Sequence, residues 1–450
     1  MMKRIPLAAA LLCAGLMHSA YASDLLQSWK AAQQNNPDMA SARAVYEQAA
    51  LRQDQARALW KPVVMATAAA GLGGMDSKTT GAQAMGSPDV TFKTNIDAGL
   101  TTRGGIAAQQ AWISPEREAQ AKQLELSAQM ALAQWQQAEQ GLMLQIAQRY
   151  FQVVQAEHAL SVMRQQQKTV QQAAQEIAKR QSVGDASTMD VQEANARVSD
   201  IRAQVLSLEN QLAMAQVAFQ QNTGLTHSQV QSLANASPAP RQLDAATTWV
   251  QRAQQQSPQL QILGLQQQLQ TQEVKRIKAS DALSVSWVAQ AQLDRTSGHG
   301  SYGNATQQMG NYLLGLQLQA PLSTGGMTDA REREALKQAD KLSYDQASAR
   351  LQVEQQVRDA WQNLHTASTR LQALEQSLKA SQARVAATRQ AHRTGARTTN
   401  EWLGAEHDAA QAELNLMQAR IQTALERLRL NAVSGTLDET QLRDVNALLQ

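Results

Sequence analysis

The 450-residue chain carries 41 Lys and Arg against 38 Asp and Glu, a formal net charge of +3. This near balance does not imply a basic patch for nucleic acid. Cys13 is the single cysteine and lies in the N-terminal apolar run. A mature chain without that run would have neither a disulfide nor a thiol nucleophile.

Residues 1–22 have the pattern of a secretory signal peptide. Lys3 and Arg4 precede an apolar run, and Ala20-Tyr21-Ala22 has the small-x-small form that signal peptidase cleaves. We therefore predict a removed signal and a mature start at Ser23. Beyond it, no apolar run approaches the ~18 residues that would suggest a membrane-spanning helix.

The rest of the chain consists of two similar copies of one long sequence unit. Six residues recur at fixed offsets of 221 or 211 positions: Pro37, Gly104 and Gly105 as Pro258, Gly325 and Gly326, and Gly184, Thr188 and Gly224 as Gly395, Thr399 and Gly435. We predict a first repeat over 23–225, a linker over 226–244, a second repeat over 245–436 and a tail over 437–450. A duplication of this length indicates two similar halves that build one pseudo-symmetric object.

Each repeat contains two segments in which apolar and polar residues alternate. They lie at about 62–72 and 91–101 in the first repeat, and at about 284–294 and 311–321 in the second. Alternation over ~9–11 residues is typical of a tilted transmembrane β-strand. A soluble sheet with one buried face is the alternative.

The segments between the paired strands, 73–88 and 295–310, are rich in Gly, Ser, Thr and Asn and predict exposed loops. Four strands cannot close a pore, since the smallest membrane barrels have ~8 strands. Closure of a barrel would therefore require several chains.

Nearly all of the remaining sequence predicts helix. Over 190–221 the apolar residues step by three and four, which is the heptad pattern of a left-handed coiled coil. Helical hairpins are expected, turning near Gly184 and Gly395. A helix from 327 to 393 would extend ~100 Å at 1.5 Å per residue, which suits a tube across the periplasm. Antiparallel coiled coils without a channel would explain the helices equally well.

Several short motifs follow in a distinctive order. Pro321-Leu322-Ser323-Thr324-Gly325-Gly326 follows the last strand, Gly395-Ala396-Arg397-Thr398-Thr399 forms a hairpin tip, and Ser434-Gly435-Thr436-Leu437 closes the second repeat. With the signal and the duplication, this order resembles the TolC family of trimeric outer-membrane channel-tunnels over essentially the whole mature chain.

The resemblance implies a mixed α/β membrane protein of the outer membrane, mostly helical, with a large periplasmic portion. Three chains would each contribute four strands to a 12-stranded β-barrel in lipid and two hairpins to an α-helical tunnel. The implied partners are two further copies of the chain, a periplasmic adaptor, and an inner-membrane ABC transporter or proton-driven pump.

The resemblance also implies a gate at the periplasmic entrance of the tunnel. The family's link arginine falls on Arg397 and its aspartate partner on Asp190. His392 stands where the best-studied member has a tyrosine, which would thin the closing network. The first acidic-ring position is Glu401 and the second falls on Gly404, so one ring would be missing.

Three copies of Glu401 around a narrow axis would attract cations and raise one another's pKa. The adaptor would grip the hairpin tips around Gly184, Thr188, Gly395 and Thr399. The alternative for each charged residue is a solvated charge at a helix tip.

No catalytic, cofactor-binding or metal-ligating motif is found, because the seven histidines are scattered and no nucleophile elbow or phosphate-cradling loop occurs. We therefore expect a passive duct rather than an enzyme. The residues from Ser434 to Glu439 and the short tail resemble the protein-secreting branch of the family, so type I secretion is placed first. Multidrug efflux is the alternative, and a periplasmic coiled-coil scaffold is the rival of a different class.

Overall fold

The computed structural model describes residues 23–84, 87–225, 230–233, 238–239, 243–301 and 303–449. The predicted signal peptide, residues 1–22, lies outside the described residues. So does about half of the predicted linker, 226–244.

The first half of the chain forms four helices and two strands in the order helix, helix, strand, strand, helix, helix. These elements are α1 (Leu25–Asn35), α2 (Pro37–Ala58), β1 (Val63–Ala84), β2 (Ser87–Ile113), α3 (Pro115–Ser182) and α4 (Thr188–Thr223). A proline begins both α2 and α3, where its missing N–H would have no helical partner and its fixed φ suits the first turn.

The second half repeats this order and adds one short helix. These elements are α5 (Ala246–Gln256), α6 (Pro258–Ala279), β3 (Ser284–Gly300), β4 (Gly303–Gln319), α7 (Met327–Arg393), α8 (Thr399–Ser434) and α9 (Glu439–Asn446). Pro258 begins α6 as Pro37 begins α2. Helix α9 lies within the predicted tail, 437–450.

The four strands form one antiparallel sheet in the order β1-β2-β3-β4. Strand β2 pairs with β3 from Ala98 opposite His299 to Ile113 opposite Val285, which joins the two halves of the chain. In β3 and β4, Val285 lies opposite Leu318 and Trp287 opposite Leu316. Because side chains alternate between faces, these apolar residues share one face of the sheet.

The prediction of exposed loops over 73–88 and 295–310 was wrong, since most of these residues belong to strands. Strand β1 continues to Ala84 and β3 to Gly300. Strand β2 likewise runs to Ile113, past the predicted end at 101. Gly, Ser and Asn favour turns in isolation, but hydrogen-bonded pairing with neighbouring strands overrides that preference. Gly303, the first residue of β4, has φ +103°.

The chain divides into two compact units. One contains the described residues of Met1–Ala44, Gln134–Leu260 and Ala349–Gln450. The other contains Val45–Ala133 and Gln261–Ser348, which include the sheet. Each unit therefore takes segments from both predicted repeats.

The core of the first unit is built around aromatic side chains. Trp29, Tyr150 and Phe151 are fully buried, and the last two rings meet edge to face with centroids 5.5 Å apart. The Tyr150 hydroxyl lies 2.8 Å from the Gln231 carbonyl oxygen and 3.2 Å from that of Ser23. Burial raises the pKa of Tyr150, so the phenol stays neutral and the buried hydroxyl remains a hydrogen-bond donor.

In the second unit an arginine ties α6 to α3. Arg276 makes ion pairs with Glu273, 2.7 Å away on its own helix, and with Glu116, 3.1 Å away at the start of α3. These contacts lower the pKa of Glu273 and raise that of Arg276, so both stay charged. None of the helices in the described part of the chain combines the length and apolarity that a bilayer-crossing helix requires.

Candidate functional site: the helical hairpin tips

Both long hairpins turn at a glycine in the left-handed region. Gly184 has φ +88° between α3 and α4, and Gly395 has φ +75° between α7 and α8. After each glycine a backbone N–H returns to the preceding helix: Asp185 donates to the Arg180 carbonyl and Ala396 to that of Ala391, both at 2.8 Å. This is the Schellman ending of a helix, and it fixes the exit direction of the chain.

The helix after each turn begins with a capping box. In α4 the Asp190 N–H donates to Ser187 Oγ at 3.1 Å, and the Ser187 N–H donates to Asp190 Oδ2 at 2.9 Å. In α8 the Glu401 N–H donates to Thr398 Oγ1 at 3.2 Å, and the Thr398 N–H donates to Glu401 Oε2 at 2.8 Å. Two backbone donors without helical partners are satisfied in each case.

The capping role of Asp190 and Glu401 escaped the sequence analysis. Its signal was present, because Ser187 and Thr398 each stand three residues before an acid at the start of a helix.

Arg397 and Asp190 have separate partners within one chain. Arg397 forms a short ion pair with Glu401, four residues on. Asp190 accepts from both the hydroxyl and the N–H of Ser187, at 2.8 and 2.9 Å. Among the described contacts of a single chain, no ion pair joins Arg397 to Asp190. The link between them stays a prediction for the assembled protein.

Local hydrogen bonds keep both tip acids ionised. The side chain and N–H of Ser187 lower the pKa of Asp190. The N–H of Thr398, followed by Arg397, lowers the pKa of Glu401. The lowered pKa of Glu401 within one chain is opposite in direction to the raised pKa expected for a ring of three Glu401 side chains. The expected rise comes from contacts between chains and stays a prediction.

The two tip threonines bind within their own hairpins. Gln181 Nε2 donates to Thr188 Oγ1 at 3.3 Å, and His392 Nε2 lies 3.0 Å from Thr399 Oγ1. The His392 ring also stacks on Trp402, with centroids 5.3 Å apart. Trp402 was missed in the sequence analysis, although a tryptophan so close to a tip glycine was visible there.

A groove of about 780 Å³ lies between α3, α7 and α8 in the first unit. His158 lies on its wall with Nε2 3.6 Å from Glu413 Oε1. Burial lowers the pKa of His158, with Glu413 opposing this shift and Arg420 adding to it. Burial raises the pKa of the neighbouring Glu157. Within the described residues, no group of three or more His, Cys, Asp or Glu is placed to hold a metal ion.

Two long helical hairpins with capped glycine tips, combined in one chain with a four-stranded antiparallel sheet, define the fold of outer-membrane channels with a helical tunnel. The family model described as outer membrane efflux protein matches residues 29–225 and 249–436. The chain belongs to this family.

Known proteins of the family resemble the chain over its length. TolC of Vibrio cholerae is 25% identical over 451 residues, covering 100% of this chain and 99% of the relative. The protease secretion protein PrtF of Dickeya chrysanthemi is 23% identical, covering 71% and 70%. The crystal structure of the Campylobacter jejuni outer membrane channel CmeC has a TM-score of 0.71 at 13% identity, covering 95% of this chain and 90% of that one.

These findings confirm the resemblance to the TolC family and the predicted fold class. The protein is an outer-membrane efflux or secretion channel with a large periplasmic helical portion. It is a transport duct and not an enzyme. Family membership also excludes the periplasmic coiled-coil scaffold.

Proposed function

We propose that the protein is a homotrimeric exit duct of a tripartite type I secretion system. In this system it works with a periplasmic adaptor and an inner-membrane ABC transporter, which supplies the energy. The observation that carries the proposal is the pairing of a four-stranded sheet, open at both edges, with two long helical hairpins in the same chain.

The sheet supports a trimer because it is incomplete by itself. Strands β1 and β4 are its edges and have one paired neighbour each. An edge with unpaired backbone groups is unstable in lipid, and the smallest membrane barrels have about 8 strands. Three copies close the edges in a 12-stranded barrel.

One face of β4 supports contact with outer-membrane lipid. The alternate residues Tyr312, Leu314, Leu316 and Leu318 are all exposed, Tyr312 by 90% and Leu314 by 80%. Such a row of large apolar side chains is costly in water and favourable against hydrocarbon.

The weakness of the Arg397–Glu401 pair supports a gate that changes partners. Both side chains are about half exposed, at 57% and 42%. Exposed pairs of this kind contribute little to stability. Arg397 can therefore exchange Glu401 for Asp190 of a neighbouring hairpin at low cost. We propose that this exchange closes the tunnel entrance and that the adaptor reverses it at the tips around Gly184, Thr188, Gly395 and Thr399.

Secretion is placed first because the C-terminal motif from Ser434 resembles the secreting branch and because a relative carries the name of a protease secretion protein. Multidrug efflux is the second candidate, favoured by the description of the family itself. In that case a proton-driven pump replaces the ABC transporter.

A deletion strain distinguishes the two candidates. The protein content of the culture medium and the susceptibility to a panel of drugs are measured in the parent, the deletion strain and the strain complemented with the intact gene. Loss of a specific secreted protein with unchanged susceptibility supports secretion. Increased susceptibility with an unchanged medium supports efflux, and no change in either measurement contradicts both.

A further inference from the structure

Four side chains join α7 to α8 within about three turns of Gly395. Arg389 Nη2 donates to Glu406 Oε1 at 2.5 Å, and Trp402 Nε1 donates to the same oxygen at 3.0 Å. The His392 ring stacks on Trp402, and the Arg389 guanidinium lies 5.9 Å from the centre of the Trp402 ring. We call Arg389, His392, Trp402 and Glu406 the tip clasp.

The clasp is better shielded than the ion pair at the tip itself. The Glu406 side chain is 19% exposed, against 42% for Glu401. Its carboxylate oxygen receives one charged and one neutral donor, and hydrogen bonds to an ionised acceptor are the stronger kind. Ring stacking and the guanidinium near the ring add contacts that do not depend on the ion pair.

The first hairpin has no equivalent of the clasp. At the offset of 211 residues, Arg389, Trp402 and Glu406 correspond to Ala178, Val191 and Asn195. His392 corresponds to Gln181, which keeps only the bond to the tip threonine. Both tips therefore share the glycine turn and the capping box. Among the described residues, the second tip adds an ion pair and ring contacts between its helices, whereas in the first tip Arg180 acts on Asp190 only through its charge.

We propose that the tip clasp fixes the first turns of α8 on α7, so that the second tip moves as one rigid body while the first tip deforms. Trp402 and its partners are positioning residues, because they hold the first turn of α8, which carries Glu401, in a fixed orientation against α7. This inference rests on the proposed function, since it identifies the rigid part of the entrance gate.

Hydrogen exchange of the full-length, detergent-solubilised protein tests the clasp. Trp402→Val installs the residue that the first hairpin carries. Loss of the stack and of the bond to Glu406 should speed exchange of the amides from 394 to 403 about tenfold, with little change in the unfolding temperature. Amides of the first tip, from 183 to 192, should exchange as in the parent.

Trp361→Val is the matched control. Trp361 stacks on His365 at 5.4 Å in the middle of α7, so the substitution removes a similar tryptophan–histidine contact outside the clasp. Hydrogen exchange at the second tip should be unaffected by Trp361→Val.

A charge exchange tests the ion pair of the clasp. Arg389→Glu should speed hydrogen exchange at the second tip, and Arg389→Glu combined with Glu406→Arg should restore it toward the parental rate. A merely structural loss would not be rescued by exchange of the charges.

Unchanged exchange in Trp402→Val would overturn the clasp, and no rescue by the charge exchange would overturn the part of the Arg389–Glu406 ion pair in it. Conductance measured on the same samples separates this inference from the proposed function. In a conducting parent, Trp402→Val should raise the resting conductance, and faster tip exchange without that rise would overturn the role in the gate. If the parent itself never conducts, the proposed function fails and the role in the gate fails with it.

Discussion

Asp190 and Glu401 lie 211 residues apart and make the same two hydrogen bonds, each accepting from the residue that caps its helix and donating its own N–H to that residue's side chain. The duplicated sequence therefore builds the same tip twice. Arg397 has no counterpart in the first tip, because the equivalent residue is Ala186. The two tips therefore share the same backbone turn and helix cap and differ in the charge at this position.

Removal of a helix cap should loosen one tip without unfolding the protein. Ser187→Ala deletes the side chain that accepts from the Asp190 N–H and should cost about 1 kcal/mol of local stability. We expect faster hydrogen exchange in the first turn of α4 and an unchanged unfolding temperature. Ser199→Ala is the control, since Ser199 bonds within the middle of α4. Equal exchange in both variants would show that the cap is dispensable.

The glycine at the second tip should resist substitution. Gly395→Ala places a β-carbon at φ +75°, a conformation that costs an L-residue about 1–2 kcal/mol. Gly404→Ala is the matched control in α8, the helix that follows the turn, where the added β-carbon meets open space. It should stabilise α8, because alanine favours helix by about 1 kcal/mol over glycine. In thermal unfolding and in hydrogen exchange at the tip, the two variants should shift in opposite directions from the parent. A shift of both variants in the same direction would argue against the left-handed turn at Gly395.

Acidification should weaken the packing of α3 against α8 through His158. Burial holds the folded pKa below the unfolded value of about 6.5, so the unfolded chain binds the proton first. The stability that neutral His158 contributes is present above the unfolded pKa and is lost as the pH falls through the unfolded pKa toward the folded one. Glu413 at 3.6 Å opposes the shift, Arg420 adds to it, and the raised pKa of Glu157 acts in the opposite sense on stability.

The pH effect of His158 is isolated by His158→Gln. Thermal unfolding of the parent and the variant is compared from about pH 8 to about pH 5, which brackets the unfolded pKa. The parent should lose more stability than the variant on acidification. Parallel curves would show that another group, such as Glu157, governs the response.

Cation preference should depend on Glu401. Its lowered pKa keeps the carboxylate charged at neutral pH, so three copies near the entrance should favour cations. Glu401→Ala should weaken the preference, measured as the reversal potential in a salt gradient across a bilayer. The control is Glu354→Ala on α7, which removes an exposed i,i+4 partner of Arg358 far along the chain from the tip. Equal reversal potentials in parent and Glu401→Ala would make Glu401 a plain surface charge.

The long hairpins and the alternating strands could be predicted because their patterns extend over many residues. The heptads of 190–221 lie in α4, and the apolar residues of the alternating segment that begins at Val285 lie on one face of β3. The strand ends could not be predicted in the same way. Residues such as Ser297 and Gly298 favour turns locally, and pairing with β2 on one side and β4 on the other makes them strand.

The tip contacts divide in the same manner. Gly184 and Gly395 are visible as turns because glycine alone adopts the left-handed conformation without strain. The capping boxes follow from spacing in the sequence. The bond between Arg389 and Glu406 requires the register of α7 against α8, which no local pattern contains. The pairing of Arg397 with Asp190 across the two repeats stays a prediction.

The most direct test of the channel and its gate is single-channel conductance of the purified protein in a planar lipid bilayer, with Arg397→Ala beside the parent. We predict small, stable, cation-preferring steps in the parent and larger steps in the variant, because the closing link is lost. Arg384→Ala, which removes an exposed partner of Asp408 on the same hairpin, should conduct as the parent does. Folded protein that conducts in neither form would contradict the channel, and equal conductance of parent and Arg397→Ala would contradict the gate.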